Sequence, residues 1–210
     1  MMAAAFTLPA LSPHAVSPLA DDLATDYFVS AERAKLLALA DLSRQPRCGC
    51  KGPGAAPWLA ALGVPIPAAP NSAAALAGGG RVLRLGLTEF LVEGDAALVE
   101  RLQAAPRAAG VYPVLRQDAC LLLAGERLGE LLLQSCNVNF AALDSDSSTV
   151  VLTSMVGVGV TVLPENKNGV PSCRVWCDGS YGPYLWRTLR AIAEELGGGA
   201  VASGTLASLI

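Results

Sequence analysis

The chain has 210 residues, 52% of them hydrophobic and only 16% charged, with a net charge of −3. That length holds one large domain or two small ones around a real core. An acidic balance without a Lys/Arg cluster excludes a surface built to neutralise phosphates, so nucleic acid is not an expected partner. The low charge has two readings, apolar surface that meets another chain or inflation of the count by surface Ala.

Met1–Leu11 has no basic, apolar leader, Gly52–Gly80 is uncharged but broken by five prolines, and Thr149–Pro164 is short and Gly-rich. Neither a secretory signal nor a membrane-spanning helix is predicted. A cytoplasmic location is the expectation, with the six cysteines reduced.

In chain order, Met1–Pro18 is rich in Ala, Pro and Ser without a period and is predicted to be a mobile arm, leaving the only histidine, His14, in solvent. Ser30 caps a predicted helix over Ala31–Leu42, with Leu36, Leu37 and Leu39 on its apolar side. A short strand from Cys48 to Cys50 ends at Gly52. Ala55, Trp58, Leu59 and Leu62 then follow at i, i+3, i+4 and i+7, and Gly63 closes that helix. Val64–Asn71 reads as a Pro-rich extended piece. Arg81–Leu85 and Glu89–Glu93 form a predicted hairpin, and Asp95 caps a helix carrying Leu98, Val99 and Leu102.

The order then repeats. Cys120–Ala124 is an apolar strand ended by Gly125, and Leu128, Leu131, Leu132 and Cys136 recur at helical spacing. Thr149–Val162 alternates Val with Gly and Thr, a strand with one nearly bare face. Ser172–Cys177 places Cys173, Val175 and Cys177 on one side, and Arg174 and Trp176 on the other. Asp178-Gly-Ser180 supplies a cap for a helix with the stripe Leu185, Leu189, Ile192 and Leu196, stopped by Gly197.

Aligning Gly52-Pro53 with Gly125-Glu126 lays Ala55, Trp58 and Leu59 on Leu128, Leu131 and Leu132. The fold class predicted is therefore α+β, a tandem duplicated βαββα unit of ferredoxin-like type with a mostly antiparallel sheet. The expected divisions are an N-terminal arm with one helix over 1–46, repeats over 47–110 and 111–197, and a flexible tail over 198–210.

Chemistry is sparse. Cys48-x-Cys50 and Cys173-x₃-Cys177 lack the C-x₂-C spacing of zinc sites and sit on strands as core residues do, so no metal is expected. The Gly49, Gly52 and Gly54 turn matches no phosphate-binding motif, and Pro53 removes a donor from the helix terminus. A Ser/His/Asp set cannot be assembled around His14, and no catalytic residue is assigned. Asp118 and Asp178 lie at strand ends, where a carboxylate could act or simply cap and solvate a loop. The groove between the two repeats, where Arg116, Asp118 and Asn139 could converge, is the candidate ligand site.

Several segments resemble a known family. Lys51-Gly-Pro-Gly-Ala-Ala-Pro-Trp-Leu59, Pro65-Ile-Pro-Ala-Ala-Pro-Asn71 and Arg81–Leu91 are similar to the gamma subunit of heterotetrameric sarcosine oxidase. So are Gln134-Ser-Cys-Asn-Val138, Thr153-Ser-Met-Val-Gly-Val158 and Asp178-Gly-Ser-Tyr-Gly-Pro-Tyr-Leu-Trp186. That family is similar in turn to the folate-binding region of the glycine-cleavage T-protein, an aminomethyltransferase, although Asn166–Ser172 stands here in place of the T-protein's Gly-Tyr-Thr-Gly-Glu loop. The resemblance implies an accessory subunit of a flavin-dependent complex that demethylates an N-methyl amino acid. It places FAD, FMN, NAD and tetrahydrofolate on larger partner subunits, with no cofactor on this chain. The alternatives are a standalone folate- or pterin-binding protein and a homo-oligomeric interaction module.

Overall fold

The computed structural model describes residues 16–143 and 148–202. It opens with two short helices, α1 (Ala20–Thr25) and α2 (Ala31–Leu36), and strand β1 (Ala38–Asp41). The run β2 (Arg47–Lys51), α3 (Ala55–Ala61), β3 (Ser72–Ala75), β4 (Arg81–Arg84), β5 (Glu89–Glu93), α4 (Ala96–Ala104) and β6 (Tyr112–Val114) follows. The same order returns as β7 (Ala119–Ala124), α5 (Leu128–Ser135), β8 (Val151–Met155), β9 (Val158–Lys167), β10 (Val170–Cys177), α6 (Gly182–Glu195) and β11 (Gly199–Ala200).

The first run forms a five-stranded sheet in the order β3-β4-β5-β2-β6, and the second a six-stranded sheet in the order β8-β9-β10-β7-β1-β11. The ladders are antiparallel except β1 with β11. The α+β class with mostly antiparallel sheet stands as predicted. Three buried apolar clusters define the layers. Leu131, Trp186 and Leu189 of α5 and α6 cover one face of the six-stranded sheet. Ala40, Leu122 and Trp176 of that sheet meet Leu83 and Leu91 of the other. Leu59 and Leu102 of α3 and α4 close the outer face of the five-stranded sheet. The result is a helix–sheet–sheet–helix sandwich, and a bridge between Ser72 and Thr149 joins the two sheets along one margin.

The structure departs from the sequence reading in four places. The helix expected over Ala31–Leu42 stops at Leu36, because Leu37 turns extended and β1 begins. Leu37 and Leu39 enter the helix-side cluster while Ala38 and Ala40 enter the inter-sheet one. A strand buried on both faces reads as an unbroken apolar run, which periodicity cannot tell from a helix. Among the described residues, the region before residue 47 thus holds two helices and a strand where one helix was predicted. His14 lies outside the described residues.

The tail is likewise structured at its start. Gly199 and Ala200 pair with Ala38 and Leu39, and Gly198 is so close to Leu37 that a Cβ there would meet its carbonyl oxygen at 2.1 Å. Third, Thr149–Val162 is a hairpin. Val156 (φ 44°) and Gly157 (φ 85°) form its tight turn, and Met155 pairs with Val158. Together with β3, which follows the Pro-rich piece and had no assignment, this gives three strands between the helices of each run rather than two. Finally, β6 lies in the stretch assigned to the second repeat but pairs with β2 in the first sheet.

Candidate functional site

The interior between the sheets is polar at its centre. Arg47, at the start of β2, and Arg81, at the start of β4, both pair in register with Glu93 at the end of β5, so one cross-strand row carries all three. Arg174 and Trp176 reach the same carboxylate from β10 of the opposite sheet. Glu93 Oε1 accepts from Arg174 Nη1 at 2.6 Å and Arg81 Nη1 at 2.9 Å, and Oε2 accepts from Trp176 Nε1 at 3.2 Å. Arg47 lies 3.5 Å from Oε2 and donates to the carbonyls of Leu42 and Asp118. Glu165 on β9 completes the cluster, 3.1 Å from Arg81 Nη2. Planar guanidiniums suit such shared, multidentate pairing better than ammonium groups. The sequence reading placed Arg174 beside Trp176 on one strand face but assigned it no partner.

On one side of this cluster lies the candidate site. A cleft of about 420 Å³ has Leu85, Leu91 and Trp176 as apolar walls and Arg116 and Asp118 as polar ones. Arg116 follows β6, and Asp118 immediately precedes β7, so the crossover between the two sheets delivers both groups to the groove. Arg116 Nη2 donates to Glu89 Oε1 at 2.6 Å, and Nη1 lies 4.0 Å from Asp118 Oδ1. Burial raises the Asp118 carboxyl above its ordinary value, while Arg116 and Arg47 pull it down. Asp118 Oδ2 and Arg116 Nε are buried without a hydrogen-bond partner.

Gly159 contributes the floor, since a Cβ there would meet nothing within 4 Å. Asp118 also borders a neighbouring recess of about 440 Å³ with Gln117, Asp178 and Ser180. Asp178 accepts from the Ser180 amide and hydroxyl, which hold its carboxyl below the usual range.

Of the three residues singled out in the sequence, Arg116 and Asp118 therefore come together, and Asn139 does not. It sits exposed beyond α5 and lines neither recess. The aromatics divide similarly: Trp176 and Trp186 are buried, whereas Tyr181 and Tyr184 are exposed.

Four of the cysteines are held as thiols by burial. Burial pushes Cys48, Cys50 and Cys177 up to about 11 and Cys120 to about 12, so these thiols stay protonated near neutrality. Among the described residues no group of three or more His, Cys, Asp and Glu has metal-binding geometry, and no helix is long and apolar enough to cross a membrane. What the cleft presents is two carboxylates, Asp118 and Asp178, one guanidinium, the hydroxyl-bearing Thr153 and Thr161, and an open floor between apolar walls.

No protein-family model matches the chain, and no curated protein does. Solved structures do match, and the class they define is a fold shared by a subunit of an amine oxidase and a region of an aminomethyltransferase. One chain of the heterotetrameric sarcosine oxidase from Corynebacterium sp. U-96, solved with pyrrole 2-carboxylate, is similar at a TM-score of 0.69 and 24% identity, over 89% of this chain and 98% of that one. The glycine cleavage system aminomethyltransferase T from Bartonella henselae is similar at 0.54 and 14%, over 88% of this chain but only 58% of the transferase. This chain thus spans little more than half the transferase. The two proteins are those its sequence motifs resemble, and the likeness establishes the fold.

Proposed function

We propose that this chain is a non-catalytic accessory subunit of a flavin-dependent complex of the sarcosine oxidase type, acting on an N-methyl amino acid. The observation that carries the reading is the coverage of 98% of one chain of a heterotetrameric oxidase by a similar fold. The ordered motifs from Lys51 to Trp186 point the same way. In this reading FAD, FMN, NAD and tetrahydrofolate sit on larger flavoprotein subunits that this chain helps to hold in shape. The recurring β-α-β-β-β-α order is read as the product of a tandem duplication. The test is to assay the purified chain alone with sarcosine, with and without tetrahydrofolate. No turnover and no methylene transfer are expected, and either activity overturns the assignment.

A second reading has its own observation. The Arg116–Asp118 cleft, with its bare Gly159 floor and two buried polar atoms without partners, suits a flat heteroaromatic ring bearing N–H groups, as in a pterin. A saturable rise in melting temperature with reduced folate supports this standalone binding role, and indifference at millimolar folate removes it.

A further inference from the structure

The inter-sheet cluster carries more positive than negative charge. Among the described residues, Arg47, Arg81 and Arg174 are matched by Glu93 and Glu165 alone, and none of these five side chains is more than 18% exposed. Two residues further along β9, Lys167 adds another cation, and no hydrogen bond or ion pair engages its ammonium among the described residues. Burial lowers its pKa, and Arg174 and Arg81 lower it further, against the opposing pull of Glu165. A buried surplus of positive charge is costly unless an anion compensates it.

The place for that anion is open. A cleft of about 360 Å³ lies beside the cluster, on β9 beyond the stretch that floors the Arg116–Asp118 groove, and is lined by Gly80, Arg81, Ser148, Glu165, Asn166 and Lys167. Glu165 does not close it to anions. Its Oε1 accepts from Arg81 Nη2 at 3.1 Å, and its Oε2, though it accepts no hydrogen bond, lies 3.5 Å from Arg174 Nε, so its charge faces two guanidiniums. The volume is at the small end of ligand pockets, which run from about 300 Å³ upward.

We propose that this cleft binds a small phosphate-bearing molecule, its oxyanion held by Lys167 and Arg81 with Ser148 and Asn166 as side-chain donors. Tetrahedral oxyanions fit a site of several point donors, and Lys serves as the point charge in such sites. The site lies apart from the Arg116–Asp118 groove and does not depend on the accessory-subunit reading.

The experiment is thermal unfolding of the full chain in inorganic phosphate and in glycerol phosphate, against chloride at matched ionic strength. At ten times the dissociation constant either phosphate should raise the melting temperature by about 3–5 °C, with saturation. Lys167→Gln should lose that response, while Arg107→Gln, exposed on the far side of the first sheet, should keep it. In a lysine-selective NMR titration, phosphate should raise the Lys167 pKa. A wild type that melts identically in phosphate and chloride overturns the proposal. So does a Lys167→Gln protein that responds as the wild type does.

Discussion

The two sheet-and-helix halves share an element order but are finished differently. In the second, β1 and β11 extend the sheet past β7, and the 14-residue α6 buries Leu185, Trp186 and Leu189 completely. Arg33 donates to the carbonyls of Gly197 and Gly198, and Arg127 to that of Leu196, so two guanidiniums cap the C-terminal end of α6. In the first half, β6 pairs directly with β2, α4 has nine residues, and a cavity of about 430 Å³ remains between Cys48, Trp58, Leu102 and Leu115. The segment before residue 47 thus completes one half and leaves the other looser. We read the second half as the rigid body and the first as the half with room to adapt.

Substitution of the two tryptophans tests that contrast most severely. Trp186→Ala should cost about 4 kcal/mol in denaturant unfolding, because Trp186 is 0% exposed and its Nε1 donates to Asp26 at 3.0 Å. Trp58→Ala, half-buried beside an existing cavity, should cost less than about 2 kcal/mol. Equal losses would erase the distinction between the halves.

The next effect concerns what couples them. Glu93→Ala leaves three guanidiniums between the sheets without their shared carboxylate, and should cost about 3 kcal/mol. It should also split unfolding into two transitions by tryptophan fluorescence and circular dichroism; a single coincident transition would show that apolar contact alone couples the sheets. A smaller loss, about 1 kcal/mol, is expected for Asp95→Ala, which removes the acceptor of the Leu98 amide at the start of α4.

The smallest effect is a pH dependence. The Asp118 carboxyl is raised by burial, so the folded chain binds its proton more tightly than the unfolded one. Its contribution therefore favours folding at low pH and declines as pH rises from the ordinary value of 3.8 through the raised one. Asp118→Asn should accordingly be slightly more stable than wild type at neutral pH and lose that advantage in acid. The reverse order, measured by urea unfolding across pH, would mean that pairing with Arg116 outweighs burial.

How much the sequence revealed follows from the range of each signal. Helices α3 and α6 were legible because one apolar stripe and a following glycine define each locally, and α5 because its stripe follows Gly125. The β8–β9 turn was not, since Val156 continues the Val alternation while its backbone turns. Strand β1 was hidden because both its faces are buried. Arg116 and Asp118 share one cleft because the chain leaves one sheet and enters the next between them. Asn139 lies away from that cleft, and the Arg47–Arg81–Glu93–Arg174 cluster was missed because strand register and sheet-on-sheet packing bring its members together across up to 127 positions of sequence.

The accessory-subunit assignment is tested most directly by purifying tagged chain from its native cells and recording the absorption spectrum of what accompanies it. Larger subunits carrying a flavin spectrum that bleaches on anaerobic addition of an N-methyl amino acid are the predicted result. A colourless chain that emerges alone, in a preparation where the bait is abundant and folded, would contradict it.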